Sequence, residues 1–486
     1  MSTRRLSMPT MLAFGIGQAA EGIKNQAFNV FLLFYYQQVI GIPGTLAGLA
    51  LGIALFFDAI SDPAAGVISD RFKSKWGRRH PFMLFSAVPL VITFIALFNP
   101  PDGLSEFFNF VWLTVFAVLV RASLTFYYVP HLALGADMAH DYHQRSTLYA
   151  MSTVFSITAM AVVSFVGYRF FFPTTELFNP GTLNPAAYSD FSITFAAVMF
   201  VVIIISCLGT AREIPHLHNS PPKRTATIRN ILRDYKEVLG NRSFQLIFFG
   251  MLLTTTVVSF EAVLSPFMGV HFWGLPTERL AFISIGTMLG LWIGLPLAPL
   301  LTRLLDKKRA LVFPAIFVII NANAALILRL LDVEWFPDNE SPWIFWIFFI
   351  RYFLQGIFLP VIFASFNSMF ADIADEVELD TGERREGVIF SARSFANKAV
   401  GAVGTLVGGI ALDLIAFPSA AVAGTVPDDV VWWLGFLEGP ASSVFSFLGI
   451  VFYLRYKIDR KRHEEIVKLV ADRKKNAEEV TEEVAS

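Results

Sequence analysis

The chain has 486 residues, of which 55% are hydrophobic and only 16% charged, with a formal net charge of −1. Apolar runs of roughly 20 residues recur from end to end, which excludes an ordinary soluble multidomain protein and points to a polytopic helical membrane protein. Cys207 is the single cysteine, so an internal disulfide is excluded, and the net charge itself says nothing about partners.

The opening "MSTRRLSMPTMLAFG" has no small-residue cleavage site after its apolar core, so the first run is read as a retained helix. In lipid the backbone must satisfy its own hydrogen bonds, so each run is expected to be helical. The first span, Met11–Ile40, carries Glu21, Lys24, Asn25 and Asn29. Glu21 and Lys24 stand at i, i+3 and either pair with each other or face a cavity.

The second span, Thr45–Ile68, contains "FFDAISDPAAG". Asp58 and Asp62 are four residues apart, so both point to one face, with Ser61 between them. Each charge near the bilayer centre costs on the order of 2.5–3.5 kcal/mol on insertion scales. Side by side, the two carboxylates are expected to share a proton or to hold a small hard cation; the plainer alternative is that they hydrogen-bond neighbouring helices. Pro63 is expected to loosen the helix and free carbonyl oxygens.

The loop "DRFKSKWGRRHP" supplies Asp70, Arg71, Arg78 and Arg79 before the third span, Pro81–Phe98. The fourth, Phe107–Gly135, carries Thr125, Tyr128 and His131, the last read as either a structural histidine or a proton relay. Next come "ADMAHD", with Asp137 and Asp141, then Arg145. The loop arginines are expected to pair with Asp137, Asp141 and Asp372 as a gate that forms when the cytoplasmic side shuts and breaks when it opens.

The fifth and sixth spans are Thr147–Phe172 and Phe191–Leu208, followed by a polar, basic linker over residues 209–243. The remaining spans are Phe244–Trp273, Leu280–Leu301, Ala310–Leu331, Trp343–Phe370, Gly387–Ile415 and Val431–Leu454. Arg351 in the tenth needs an anionic or carbonyl partner, either from the protein or from a substrate. Glu261, Arg393 and Glu438 are weaker candidates. Lys and Arg concentrate in alternate loops, which predicts both termini in the cytoplasm of a cell (inner) membrane.

"ADIADE" at 371–376 repeats "ADMAHD" at 136–141 with an offset of 371 − 136 = 235 residues. A parallel six-plus-six repeat is the plan of major facilitator transporters, with the substrate site near midplane between the halves. The expected fold is therefore all-α: residues 1–208 as one half, 209–243 as linker, 244–455 as the second half and 456–486 as a cytoplasmic tail.

"FDAISDPAAGVISDRFKSKWGRRHPFML", "YYVPHLALGADMAHDYHQRS" and "ADIADEVELDTGERREGVIFSARSFANKAVG" resemble signatures of the glycoside–pentoside–hexuronide:cation symporters, the melibiose-permease branch of that superfamily. The resemblance implies that Asp58, Ser61, Asp62 and Thr125 are cation ligands, and that Lys398 is the family's intramembrane lysine. Depth agrees: Asp62 lies 17 residues beyond Thr45 and Thr125 lies 18 beyond Phe107. The departures are Tyr128 in place of an aspartate, Leu132 for a tryptophan, Thr153 for an arginine, and Gly22 for an aspartate that Glu21 can replace. The galactoside specificity of that branch does not carry over.

The expected function is cation-coupled symport of a sugar, glycoside or related polar solute by alternating access. The alternatives are a lysolipid or other amphipath as cargo, or a non-transporting sensor. Glu21, Lys24, Tyr128, His131, Arg351 and Lys398 are the candidate substrate contacts. The coupling ion is H⁺ or Na⁺, with H⁺ favoured because Tyr128 removes a carboxylate from the cation site. No cofactor, resident metal, nucleic acid or ATP is expected (no G-x-x-x-x-G-K-[ST] pattern occurs), no enzymatic constellation stands out, and a monomer is expected to suffice.

Overall fold

The computed structural model describes residues 6–72, 74–139, 142–217, 233, 236–383 and 385–485. Eleven of its helices are long and apolar enough to cross a membrane. They are α2 (Gly44–Arg71), α3 (His80–Leu97), α4 (Glu106–Met138), α5 (Tyr142–Val166, continued by the π-turn Gly167–Phe171), α6 (Pro185–Thr210), α7 (Arg242–Phe272), α8 (Thr277–Leu305), α9 (Lys307–Leu330), α10 (Pro342–Thr381), α11 (Glu386–Leu414) and α12 (Asp428–Leu454). The first span, α1, runs over 8–40 in pieces: Met8–Gly17, Ala19–Gln26 and two π-helical stretches, Ala27–Leu32 and Tyr35–Ile40.

The break in α1 falls at Gln18, and the charged residues that follow make the piece Ala19–Gln26 polar. A straight apolar rod is thereby exchanged for a helix that presents side chains inward. By contrast, Pro63 does not interrupt α2, which stays helical from Gly44 to Arg71.

Helix α2 packs on α4 of its own half and on α11 of the other, while α8 packs on α10. Small residues permit the close approaches. A Cβ on Gly409 would lie 2.1 Å from the carbonyl oxygen of Gly44, so α2 and α11 touch backbone to backbone.

One end of the bundle is tied across the halves. The Asp413 carboxylate of α11 accepts from Gly44 N (2.8 Å) and Thr45 N (2.7 Å), capping α2 from outside. Gln38 accepts from Ala421 N (2.8 Å) and donates to the Pro418 carbonyl (2.8 Å). Glu278 accepts from Thr174 N (2.8 Å). At the opposite, basic end the described pairs stay within one half: Arg78 and Arg79 with Asp137, and Lys307 with Asp372.

The tail is a helix, α13 (Arg460–Ala485), packed on the second half. Ile466 is fully buried, and His463 Nε2 lies 3.1 Å from Asp375 and 3.3 Å from Asp372.

Candidate functional site

A cavity of 640 Å³ lies between α1, α2, α4, α7 and α11. Three carboxylates, Glu21, Asp58 and Asp62, line it together with three cationic side chains, Lys24, Arg121 and Lys398. Asn25, Asn29, Thr125, Tyr128, Ser259, Ser394, Asn397 and Thr405 add neutral polar groups, against an apolar wall that includes Phe28, Leu55, Leu124 and Val263. The volume falls within the few hundred to about 1,000 Å³ usual for small-molecule sites.

The helical period brings Asp58 and Asp62 to the α4-facing side of α2, as their spacing requires. Thr125 Oγ1 lies 3.0 Å from an oxygen of each. Lys398, from α11, bonds Asp62 directly and stands 3.3 Å from Asp58. Arg121 NH1 lies 3.2 Å from the same Asp58 oxygen, with its guanidinium 5.1 Å from the Phe28 ring centroid. The two acids of α2 are therefore matched by two cations, one from each half of the protein. Such matching offsets much of the cost of taking each charge out of bulk water.

Arg121 is absent from the candidates drawn from sequence. Its signal was present: an arginine one helical turn before Thr125, deep in a span, needs an anionic partner.

Ser61 is not brought to the pair. Its hydroxyl donates to the Asp58 carbonyl at 3.3 Å within α2 itself, because i+3 on a helix lies over the preceding turn. Glu21 and Lys24 both line the cavity but do not pair with each other: Glu21 accepts from Gln18, and Lys24 donates to Asn25 Oδ1 at 2.6 Å. Tyr128 lines the cavity and hydrogen-bonds Gln18. Gly22 cannot be replaced by an acid, since a Cβ there would lie 2.3 Å from the Ser156 carbonyl oxygen; Glu21 supplies the carboxylate of this region.

Two expected substrate contacts lie elsewhere. His131 is fully buried, stacked 4.1 Å from Phe14, with Nε2 3.0 Å from the Phe14 carbonyl. Its role is packing between α4 and α1. Arg351 lies outside the cavity, with its NH2 3.8 Å from Glu438.

The basic end also departs from expectation. Asp137 accepts a hydrogen bond from Arg78 at 2.8 Å and forms an ion pair with Arg79 Nε at 2.8 Å, and Arg79 stands 3.4 Å from Asp70. Burial disfavours the charged form of Arg79, opposed by Asp137 and Asp70. All four residues belong to the first half, so these pairs are present while the halves are joined at the other end. Asp372 is not a partner of the arginines: it binds Lys307 at 2.6 Å and sits beside His463. Arg71 is exposed, Arg145 is exposed beside Tyr149, and Asp141 lies outside the described residues. Asp137 and Asp372, separated by 372 − 137 = 235 positions, thus each anchor a basic loop to the end of a long helix.

Comparison with known proteins agrees with this architecture. The family model described as MFS/sugar transport protein matches residues 13–460. An inner membrane symporter of Escherichia coli is 26% identical, over 82% of this chain and 81% of its own. A glucuronide carrier protein homolog of the same organism is 23% identical, over 99% of this chain and 100% of its own. Among solved structures, a bacterial homolog of the human lysosomal transporter Spinster, described as inward-facing and unoccupied, superposes with a TM-score of 0.63 at 14% identity, covering 95% of this chain and 97% of that one.

The fold is that of a major facilitator transporter, a multi-pass membrane protein. The chain belongs to the family of MFS/sugar transport proteins, in agreement with the signature read across residues 56–81.

Proposed function

We propose that the chain is a proton-coupled symporter of a small polar solute, a glycoside or a hexuronic acid, working in the cytoplasmic membrane with both termini inside. The observation that carries this reading is the clamp of Lys398 on Asp58 and Asp62 at the wall of a polar cavity. Lys398 belongs to the second half and the acids to the first. A proton on the acid pair weakens the clamp, and the halves become free to rock. The same proton draws on the membrane potential, about 2.3 kcal/mol per charge per 100 mV.

A proton is favoured over Na⁺ by the ligand count. With Ser61 turned to the backbone and a phenol at Tyr128, the acids and Thr125 are the oxygen donors gathered there. Hard cations such as Ca²⁺ and Mg²⁺ gather six or more oxygens, waters included, and a proton needs one. The mixed polar wall favours a hydroxyl-rich solute over a lipid chain, and Lys24 and Arg121 suit an acid group on it. The relative named a glucuronide carrier protein homolog fits that class. No covalent step is assigned to the site.

Proteoliposomes under an imposed pH gradient, without Na⁺, test the reading. Accumulation of a labelled glycoside or hexuronide is expected. Accumulation that begins only when a Na⁺ gradient is added would replace the proton by that ion. No uptake of any hydroxylated solute, with uptake of a lysolipid, would overturn the solute class.

A further inference from the structure

Behind the α7 wall of the cavity lies a second group of charges. Glu438 sits on the π-helical turn Leu437–Ala441 within α12 and is 3% exposed; Arg351 on α10 is 7% exposed. Arg351 NH2 stands 3.8 Å from Glu438 Oε1. Ser442, one α-helical turn beyond Glu438, ties in Glu261 of α7. Its Oγ lies 3.2 Å from Glu261 Oε1 and 2.5 Å from the Glu438 carbonyl oxygen. That single hydroxyl, also 3.1 Å from the Gly439 carbonyl oxygen, is shared among three acceptors, so it cannot neutralise Glu261.

Among the described residues, the groups facing this cluster from its other neighbours carry no charge. Helix α9 contributes Asn321, whose Nδ2 donates to the Arg351 carbonyl at 2.8 Å, and Asn323, which donates to Ser443 at 2.6 Å. Tyr352 of α10 has its hydroxyl 3.3 Å from Ser265. Two carboxylates therefore meet one guanidinium. Among the described residues, Glu438 Oε2 and Arg351 Nε and NH1 have no hydrogen-bond partner.

An ionised carboxylate left over in such a place is costly, and the usual remedy is to bind a proton. The acid pair on α2, in contrast, already has a cation for each member. A π-turn that carries an acid into a helical interface is also a form common at functional sites.

We propose that Glu261 and Glu438 form a proton-binding site in the second half, holding one proton between them opposite Arg351. This site goes beyond the symport reading and is separate from Asp58 and Asp62. Protonated, the cluster is neutral. Deprotonated, it carries one negative charge that only a rearrangement of α7 against α10 and α12 can bring to water or to a new cation. The second half thereby acquires its own sensitivity to pH.

Difference infrared spectroscopy on the purified full-length protein, between acid and alkaline pH, tests the proposal through the C=O stretch of a protonated carboxyl. The band is expected to persist in the Asp58→Asn/Asp62→Asn double variant, which removes the contribution of the α2 pair, and to be lost when Glu261→Gln or Glu438→Gln is added in that background. Glutamine is the neutral isostere of the protonated acid, so at least one of these variants keeps the packing. Arg351→Gln gives an independent readout: with the guanidinium opposite the two acids gone, the second carboxyl takes a proton and the band grows about twofold. A band that vanishes in the double aspartate variant, or that in this double-aspartate background survives both glutamate variants, stays unchanged in Arg351→Gln or disappears on adding Na⁺, would overturn the proposal. The measurement needs neither solute nor transport, so its failure leaves the symport reading intact, and failed uptake leaves this one intact.

Discussion

Lys398 Nζ stands 3.3 Å from the carboxylate of Asp58 and in direct contact with that of Asp62, although 340 and 336 positions separate it from them in the chain. The contact crosses from α11 to α2, the two helices that also touch backbone to backbone at Gly44 and Gly409. A charge pair thus sits on the seam along which the halves must part.

Removal of one carboxylate uncouples the ion without destroying the cavity. Asp58→Asn and Asp62→Asn are each expected to abolish uphill accumulation while solute exchange continues. Counterflow and concentrative uptake measured in the same proteoliposomes separate the two. Concentrative uptake at the unmutated rate in either variant would refute the assignment.

Lys398→Gln removes a cation from the acid pair. At about 4 Å and an effective dielectric of 20, such a pair is worth about 4 kcal/mol as an upper guide. Even a third of that raises proton affinity roughly tenfold, since about 1.4 kcal/mol corresponds to one pH unit. The sign follows directly: without the nearby positive charge the carboxylates hold their proton at higher pH. The pH profile of uptake is expected to move to higher pH by about one unit or more, with the order of preferred solutes unchanged. A change in that order would place Lys398 on the solute.

Asp413 caps α2 from α11, with bonds of 2.8 and 2.7 Å to Gly44 N and Thr45 N. Asp413→Ala is expected to weaken the joined end by about 0.5–2 kcal/mol, the range for loss of a helix N-cap. That displaces the population several-fold toward the state opened there. In a Cys207→Ser background, labelling of Leu51→Cys by a membrane-impermeant thiol reagent added from that side should rise with Asp413→Ala. Equal labelling with and without Asp413 would count against the cap as a latch.

His131 packs between Phe14 and Tyr127 and bonds a backbone carbonyl. His131→Gln is expected to lower thermal stability by about 1–3 kcal/mol, as for a buried polar group left with imperfect partners. The pH profile of uptake should stay where it is. A shifted profile would restore the proton-relay role.

Much of this protein is written locally in its sequence. A backbone in lipid satisfies its hydrogen bonds within each span, so apolar length and its interruptions determine where the helices fall and in what order. The i, i+4 spacing determines that Asp58 and Asp62 share a face, and the motif copied at an offset of 235 positions places Asp137 and Asp372 in equivalent corners. α1 is the partial exception, because its polar middle breaks an otherwise apolar run.

What the acids meet was decided by the tertiary structure. Charges separated by hundreds of residues find each other only when helices pack, and the partners come from α4 and α11 rather than from α2 itself. Arg121 and Lys398 stand against the acids that were expected to share a proton or hold a small cation, while Ser61 turned to its own backbone. Arg351 and His131 look alike in sequence as polar groups deep in a span. Packing sent one to Glu438 and the other to a carbonyl of α1, because a buried polar side chain takes the nearest partner its helix neighbours provide, and no local pattern records which neighbour that is.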